Sequence, residues 1–128
     1  MGYALVLVCI ASLVVIYIGA AGMFGKLPRN RWVGLRTAKT SADDEAWARG
    51  HRAGGPLLVF GGVAAFSASL AFAPFAIAGR VGDNLALAVV LVCAGAIVGS
   101  AFSATMAANA AAARPPAPPA PTTPPRRK

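Results

Sequence analysis

The residues best suited to chemistry are concentrated in one polar segment between long apolar stretches. This segment, residues 26–55, contains the chain's single histidine, His51, and seven of its twelve Lys and Arg residues. Arg36 offers a planar guanidinium that binds a carboxylate or a phosphate through two parallel hydrogen bonds, and an unperturbed histidine titrates near neutral pH. The residue types of this segment therefore favour anion or partner binding.

Catalysis and metal binding find little support in the sequence. Asp43, Asp44 and Glu45 are consecutive acidic residues at the start of a predicted helix, so they do not form a facing acid–base pair. The hydroxyl groups of the apolar stretches have no histidine at the same depth to activate them. Cys9 and Cys93 lack the spacing of a metal site. We therefore predict no catalytic residues, no metal and no cofactor, with a lipid-modifying enzyme as a less favoured alternative.

The composition places the chain in a membrane. Of its 128 residues, 57% are apolar and 12% are charged, and the mean hydropathy is +0.64, whereas soluble domains carry about 25% charged residues. Three uncharged stretches each exceed the length of about 20 residues that a helix needs to cross a bilayer. Three strands could not close a barrel in lipid. We therefore predict an all-α membrane protein with three transmembrane helices.

The charged residues set the predicted boundaries and orientation. Eleven of the twelve basic residues lie between helices 1 and 2 or after helix 3, and Lys and Arg stay on the cytoplasmic side. This places the N-terminus outside and the C-terminus in the cytoplasm. The predicted order is transmembrane helix 1 (1–25), a cytoplasmic motif loop (26–55) with a short helix at about 41–53, helix 2 (56–79), an external turn (80–83), helix 3 (84–113) and a Pro-rich tail (114–128).

The two ends of the chain need separate interpretation. Residues 1–25 are predicted to stay as an anchor, because no basic residue precedes the apolar run and the run exceeds the about 7–15 residues typical of a cleaved signal peptide. Residues 114–128 contain seven of the ten prolines and end in three basic residues. Such a composition predicts a disordered, basic cytoplasmic tail.

The short helix predicted at about 41–53 has signals at both ends. Thr40 or Ser41 can supply the N-cap, acidic residues follow in the first turn, and basic residues fall in the last turn. Gly54 and Pro56 then favour the start of a separate helix, since proline in the first turn loses no hydrogen bond.

A membrane surface accounts for the net charge of +8. Nucleic-acid binding is the other usual interpretation of a basic chain, but the motif loop has three acidic residues beside its seven basic ones, as is ordinary next to a membrane. Trp32 and Trp47 are predicted to lie at the membrane interface, where an indole contacts lipid and water. We expect membrane lipid as a partner and no direct nucleic acid.

Small residues recur at every fourth position on helices 2 and 3. Gly61 and Ala65 form such a ridge on helix 2, and Gly95, Gly99 and Ser103 form one on helix 3. These ridges allow close contact between helices. We interpret them as packing seams within the chain, with an oligomer interface as the alternative.

The motif loop resembles the signature of the SdpI family of bacterial membrane proteins. A P-x-N segment, a GxRT segment and a W-x3-H-R segment followed by glycine occur here in the family's order. The chain departs from the signature at Ala38, where the family usually has proline. The positions that carry the resemblance are Pro28, Asn30, Gly34, Arg36, Thr37, Thr40, Trp47, His51, Arg52 and Gly54, and Trp32 lies among them as a further candidate for partner binding.

The resemblance implies a role and a location. The family's namesake is an immunity protein that protects its producer from a secreted antimicrobial toxin and holds a transcriptional repressor at the membrane. This implies a non-catalytic immunity or sensing protein of the bacterial cytoplasmic membrane, which binds a cytoplasmic regulator or an antimicrobial peptide or toxin. The alternative is a structural accessory subunit of a larger membrane complex, in a homo- or hetero-oligomer.

Overall fold

The structure is a computed structural model that describes residues 1–115. The chain forms three helices there, α1 (Gly2–Met23), α2 (Asp44–Ile77) and α3 (Asp83–Ala112), and this described part contains no strand. Each helix is long and apolar enough to cross a membrane. The predicted all-α fold with three membrane-length helices is therefore confirmed. The predicted tail, except for its first two residues, lies outside the described residues.

The central helix is α2, which packs along both α1 and α3, while α1 and α3 meet over a much smaller area. The amino group of Met1 lies 3.9 Å from Oδ1 of Asp83, and Gly2 packs against Ile77. The start of α1, the end of α2 and the start of α3 therefore lie at one end of the bundle. The motif loop lies at the other end.

One continuous helix replaces the two helices predicted between residues 41 and 79. α2 has 34 residues and runs through both Pro56 and Pro74. At 1.5 Å per residue it is about 51 Å long, which exceeds the about 30 Å hydrocarbon thickness of a bilayer. Because its charged residues end at Arg52, we take the membrane-spanning part to begin at Pro56, and the preceding three turns extend beyond the hydrocarbon.

Close packing explains why the glycines before Pro56 do not end the helix. A Cβ on Gly55 would lie 2.5 Å from the carbonyl oxygen of Gly19 on α1. A Cβ on Gly54 would overlap the side chain of Leu35 and lie 2.6 Å from the carbonyl oxygen of Ala104 on α3. These two glycines therefore let α1, the motif loop and α3 approach the backbone of α2.

The N-cap of α2 also differs from the prediction. Asp43 caps the helix, and its Oδ1 accepts a hydrogen bond from the backbone N–H of Ala46 at 2.7 Å. Thr40, one of the two predicted caps, is instead buried within the motif loop. Glu45 and Arg49 form an ion pair one turn apart, with a distance of 2.6 Å between Oε1 and Nη1.

The two small-residue ridges have different surroundings. Gly61 and Ala65 are buried, and a Cβ on Gly61 would overlap the side chain of Ser100. By contrast, Gly95, Gly99 and Ser103 are exposed, and a Cβ on either glycine would meet nothing within 4 Å. The interpretation as an internal seam is therefore wrong for α3, whose ridge faces away from α2.

The seam between α2 and α3 uses a neighbouring face of α3. Ala104 and Ala108 are fully buried, and their carbonyl oxygens lie close to Gly54 and Gly50 of α2. Together with the contact of Ser100 at Gly61, these residues form a stripe of small side chains. Glycine on one helix opposite alanine or serine on the other allows close backbone approach without polar pairing.

Candidate functional site

The motif loop folds back onto the first three turns of α2. Leu35 and Thr40 from the loop are buried, and so is Trp47 from α2. The indole Nε1 of Trp47 donates a hydrogen bond to the carbonyl oxygen of Leu27 at 2.9 Å. Helix and loop thus form one packed unit at the predicted cytoplasmic end of the bundle.

His51 lies at the centre of this unit and is 2% exposed. Its Nε2 accepts a hydrogen bond from the backbone N–H of Leu35 at 2.8 Å, and its Nδ1 lies 2.9 Å from the carbonyl oxygen of Trp47. Both contacts are satisfied only by the neutral ring with its proton on Nδ1. Desolvation lowers the pKa of His51 below its ordinary 6.5, against an opposing effect of the hydrogen bond to Trp47. The histidine therefore acts as a neutral structural connector.

Two glycines make room for His51. Gly34 has a φ of +121°, a backbone conformation that favours glycine. A Cβ there would also lie 2.5 Å from Nε2 of His51 and 3.1 Å from the Trp47 ring. On α1, a Cβ on Gly22 would lie 3.1 Å from the Cβ of His51. The glycine of the GxRT segment is therefore required by both conformation and space.

The threonines of the motif connect the loop to itself and to α3. The hydroxyl of Thr40 donates to the carbonyl oxygen of Leu35 at 2.7 Å and accepts from the backbone N–H of Thr37 at 2.9 Å. The hydroxyl of Thr37 donates to Oδ1 of Asn109 on α3. Asn109 was not predicted as a site residue, although an isolated amide in an alanine-rich stretch was a signal for it.

The P-x-N segment forms a turn that Asn30 stabilises. Oδ1 of Asn30 accepts hydrogen bonds from the backbone N–H groups of Trp32 at 2.8 Å and Val33 at 2.7 Å, and its Nδ2 donates to the carbonyl oxygen of Pro28 at 2.9 Å. This local bonding is what an asparagine in a turn typically provides. Pro28 and Asn30 therefore have a structural role in the loop.

The two tryptophans of the motif loop have opposite environments. Trp47 is 3% exposed and packs on His51, with ring centroids 4.1 Å apart. Its predicted place at the membrane interface is therefore wrong, because the indole belongs to the interior of the loop. Trp32 is 89% exposed, so it remains available for contact with lipid or a partner.

A basic cavity of about 430 Å³ opens on the exposed surface of the motif loop, away from its packed interior. Its lining includes Arg29, Arg31 and Arg36, and no carboxylate. Arg29 is held in place, since its Nε lies 2.9 Å from Oδ1 of Asp44 and its Nη1 donates to the carbonyl oxygen of Ser41 at 3.2 Å. Arg29 and Arg31 were not predicted as site residues, although their spacing around Asn30 placed them in the same turn as the motif.

The structure thus divides the motif into a buried part and an exposed part. Arg36, Arg52 and Trp32 point away from the packed interior and are exposed. Within residues 1–115, no group of three or more His, Cys, Asp or Glu residues is placed to hold a metal ion. The residues of the motif that lie at least partly buried in the unit are Asn30, Gly34, Thr37, Thr40, Trp47, His51 and Gly54.

Comparison with known proteins agrees with the resemblance in the motif loop. The SdpI/YfhL protein family matches residues 26–103, which include the loop, all of α2 and most of α3. No curated protein and no solved structure gives a significant match to the chain. Because the family match covers more than half of the sequence and includes the whole motif, the chain belongs to the SdpI/YfhL protein family.

Proposed function

We propose that the protein is a non-catalytic immunity or sensing protein of the bacterial cytoplasmic membrane, which binds a partner through the exposed part of its motif loop. The observation that carries this proposal is the division of the motif. His51, Thr40 and Gly34 hold the loop in one conformation, whereas Arg36 and Trp32 project from it. A rigid loop that presents an arginine and a tryptophan has the composition of a binding surface.

The conformation of the loop supports binding energetically. A loop that is already ordered loses little conformational entropy when a partner binds. Here the hydrogen bonds of Asn30, Thr37 and Thr40 fix the backbone on both sides of Arg36. The backbone of Arg36 is therefore held in place, and its exposed guanidinium can bind a carboxylate through two parallel hydrogen bonds. The partner in this proposal is a cytoplasmic regulator, or a toxin or antimicrobial peptide that reaches the loop.

The experiment is a membrane pull-down of the full chain in mild detergent. We would compare wild type with the double variant Trp32→Ala/Arg36→Ala, and identify bound proteins and peptides by mass spectrometry. Both side chains are exposed, so the variant is expected to insert and fold normally. Lys26→Gln/Lys39→Gln is the control, because it removes two exposed charges of the same loop outside the motif. A partner lost only from the Trp32/Arg36 variant supports the proposal, and equal recovery from all three proteins contradicts it.

A structural accessory subunit is the second candidate function. It is favoured by the exposed ridge of Gly95, Gly99 and Ser103 on α3, which has open space above both glycines. A larger membrane complex could pack a helix there. In this case Gly95→Leu would displace the chain from the complex on native gels. Ala94→Leu, which enlarges a neighbouring exposed residue off the ridge, would leave the migration unchanged.

A further inference from the structure

The basic cavity on the motif loop has the shape and charge of an anion site. Its volume of about 430 Å³ lies in the range of about 300–1,000 Å³ that small ligands occupy in proteins. Besides its three arginines it contains Asn30 and Ser41. All these side chains can donate hydrogen bonds, so the lining suits a ligand group that only accepts them.

The arginines of the cavity differ in whether their guanidinium groups already have partners within the protein. Arg29 pairs with Asp44 and also donates to the carbonyl oxygens of Ser41 and Ala42. Within the described part of the chain, Arg31 and Arg36 form no side-chain hydrogen bond and no ion pair. The cavity therefore contains two uncompensated guanidinium groups beside a third that is fixed in position. Two such groups suit the oxygens of a phosphate, which accept bidentate hydrogen bonds from arginine.

The position of the cavity favours a ligand in the membrane surface. The loop begins directly after α1 ends at Met23, and it carries two exposed aromatic side chains, Phe24 and Trp32. Tryptophan is enriched at the level of the lipid headgroups in membrane proteins, so Trp32 is suited to that layer. Arg31, which lines the cavity, precedes Trp32 in the sequence. The cavity therefore lies beside a residue that is suited to the headgroup layer. Phosphate is the group that the headgroup layer presents there.

We propose that the cavity formed by Arg29, Arg31 and Arg36 binds a phosphate group, supplied by an anionic phospholipid headgroup of the cytoplasmic leaflet. Arg31 and Arg36 contact the phosphate oxygens, Arg29 holds the turn, and Trp32 contacts the adjacent lipid. This inference goes beyond the proposed immunity or sensing role, because lipid binding requires no protein partner. It also gives the loop a fixed position on the membrane surface.

The test uses the purified full chain in mild detergent and native mass spectrometry. The chain is titrated separately with phosphatidylglycerol, with phosphatidylcholine and with inorganic phosphate. The variant Arg31→Gln/Arg36→Gln is compared with the control Lys26→Gln/Lys39→Gln, which removes the same charge from the same loop outside the cavity. Circular dichroism verifies that both variants keep the helical content of the wild type. The arginine variant is expected to lose affinity for phosphatidylglycerol by about 30-fold, because it loses charge-assisted hydrogen bonds to the phosphate. The lysine variant is expected to lose much less, because its two lysines do not line the cavity.

The outcomes separate the ligand sources. Equal losses in the two variants would overturn the proposal, since binding would then follow net charge alone, and so would equal affinity for the two lipids. Binding of inorganic phosphate that is lost in the arginine variant, without binding of phosphatidylglycerol, would overturn the lipid as the source and assign the cavity a free phosphate ligand. Failure of all three ligands, with a protein partner lost from the arginine variant, would overturn phosphate binding and assign the cavity to an acidic peptide. The protein pull-down alone tests the immunity or sensing role, so the two proposals fail separately.

Discussion

Nε2 of His51 accepts a hydrogen bond from the backbone N–H of Leu35 across 16 residues of sequence, at 2.8 Å. This bond joins α2 to the centre of the motif loop, and it exists only while Nε2 carries no proton. The other ring nitrogen is already occupied by the carbonyl oxygen of Trp47. Protonation of the ring would place two N–H groups opposite each other in a buried site. The conformation of the loop is therefore linked to the charge of one side chain.

The first prediction is that the motif loop loosens in acid. The folded protein lowers the pKa of His51, chiefly through burial, so below about pH 6.5 the unfolded or opened state binds more protons than the closed state. The stability that His51 provides is thus fully present above pH 6.5, and it is lost as the pH falls from there through the folded pKa. Hydrogen exchange at the Leu35 amide, corrected for the intrinsic effect of pH, should show this loss.

The control for this prediction is His51→Gln. Glutamine offers an acceptor and a donor but does not titrate in this range, so the loop of this variant should show the same protection at pH 7.5 and pH 5.5. Its protection at pH 7.5 should be lower than that of the wild type, because the fit to Leu35 and Trp47 changes. Unaltered protection of the wild-type Leu35 amide down to pH 5 would refute the link to His51.

The second prediction concerns the connection between the loop and α3. Asn109→Ala should reduce the free energy of unfolding by about 1 kcal/mol, since it breaks one partly buried hydrogen bond. Thr37→Ala should cost more, because the Thr37 hydroxyl also accepts a hydrogen bond from the backbone N–H of Thr40 at 3.2 Å. The double variant should cost less than the sum of the two single variants. A double-mutant cycle on the unfolding midpoint measures the coupling. Strict additivity would show that the two side chains do not interact in the membrane-embedded protein.

The membrane fold could be predicted from the sequence because each transmembrane helix is indicated by one continuous apolar stretch. An uncharged run of more than about 20 residues must satisfy its backbone internally, whatever it packs against. Each of the three apolar stretches, which begin with residues 1, 53 and 84, accordingly lies in a helix, although α2 already begins at Asp44. The glycine and proline signals for helix ends gave a wrong prediction at Gly54 and Gly55, since a glycine pair before a proline is typical of a boundary between two helices. Only the neighbouring backbones of Gly19 and Ala104 show that these glycines serve packing.

The motif was recognisable from sequence, but its division into buried and exposed residues was not. Trp32 and Trp47 have the same residue type and similar polar neighbours, yet one is exposed and the other buried. What separates them is the fold-back of the loop, which depends on the long-range bond between Leu35 and His51. Asn109 was overlooked for the same reason, because its partner Thr37 lies 72 residues away.

The third prediction compares two glycines with opposite surroundings. Gly55→Ala should destabilise the protein by about 1–3 kcal/mol, the usual cost of overpacking, because the new methyl group would lie 2.5 Å from the carbonyl oxygen of Gly19. Gly99→Ala should cause no loss, since its Cβ meets nothing within 4 Å and alanine favours a helix over glycine. Thermal unfolding followed by circular dichroism in the same detergent measures both. Equal midpoints would contradict the packing of α1 against α2.

The fourth prediction concerns orientation in the membrane, which follows from the distribution of basic residues. With the motif loop in the cytoplasm, the turn before α3 must lie outside. A cysteine at Gly82→Cys should therefore react with a membrane-impermeant maleimide in intact cells. A cysteine at Ala38→Cys should react only after permeabilisation. Both residues are exposed, so differences in reactivity report the side of the membrane.

These labelling variants need a background without native thiols. Cys9→Ala and Cys93→Ala provide it, and the loss of the 3.5 Å contact from Ser69 to the thiol of Cys93 should cost little, because thiols are weak hydrogen-bond acceptors. Labelling of Ala38→Cys in intact cells, with protection of Gly82→Cys, would reverse the orientation. It would place the arginine cavity on the outer surface, where a cytoplasmic regulator could not reach it and a secreted peptide could. The same experiment therefore decides orientation and which of the two proposed classes of partner can meet the loop.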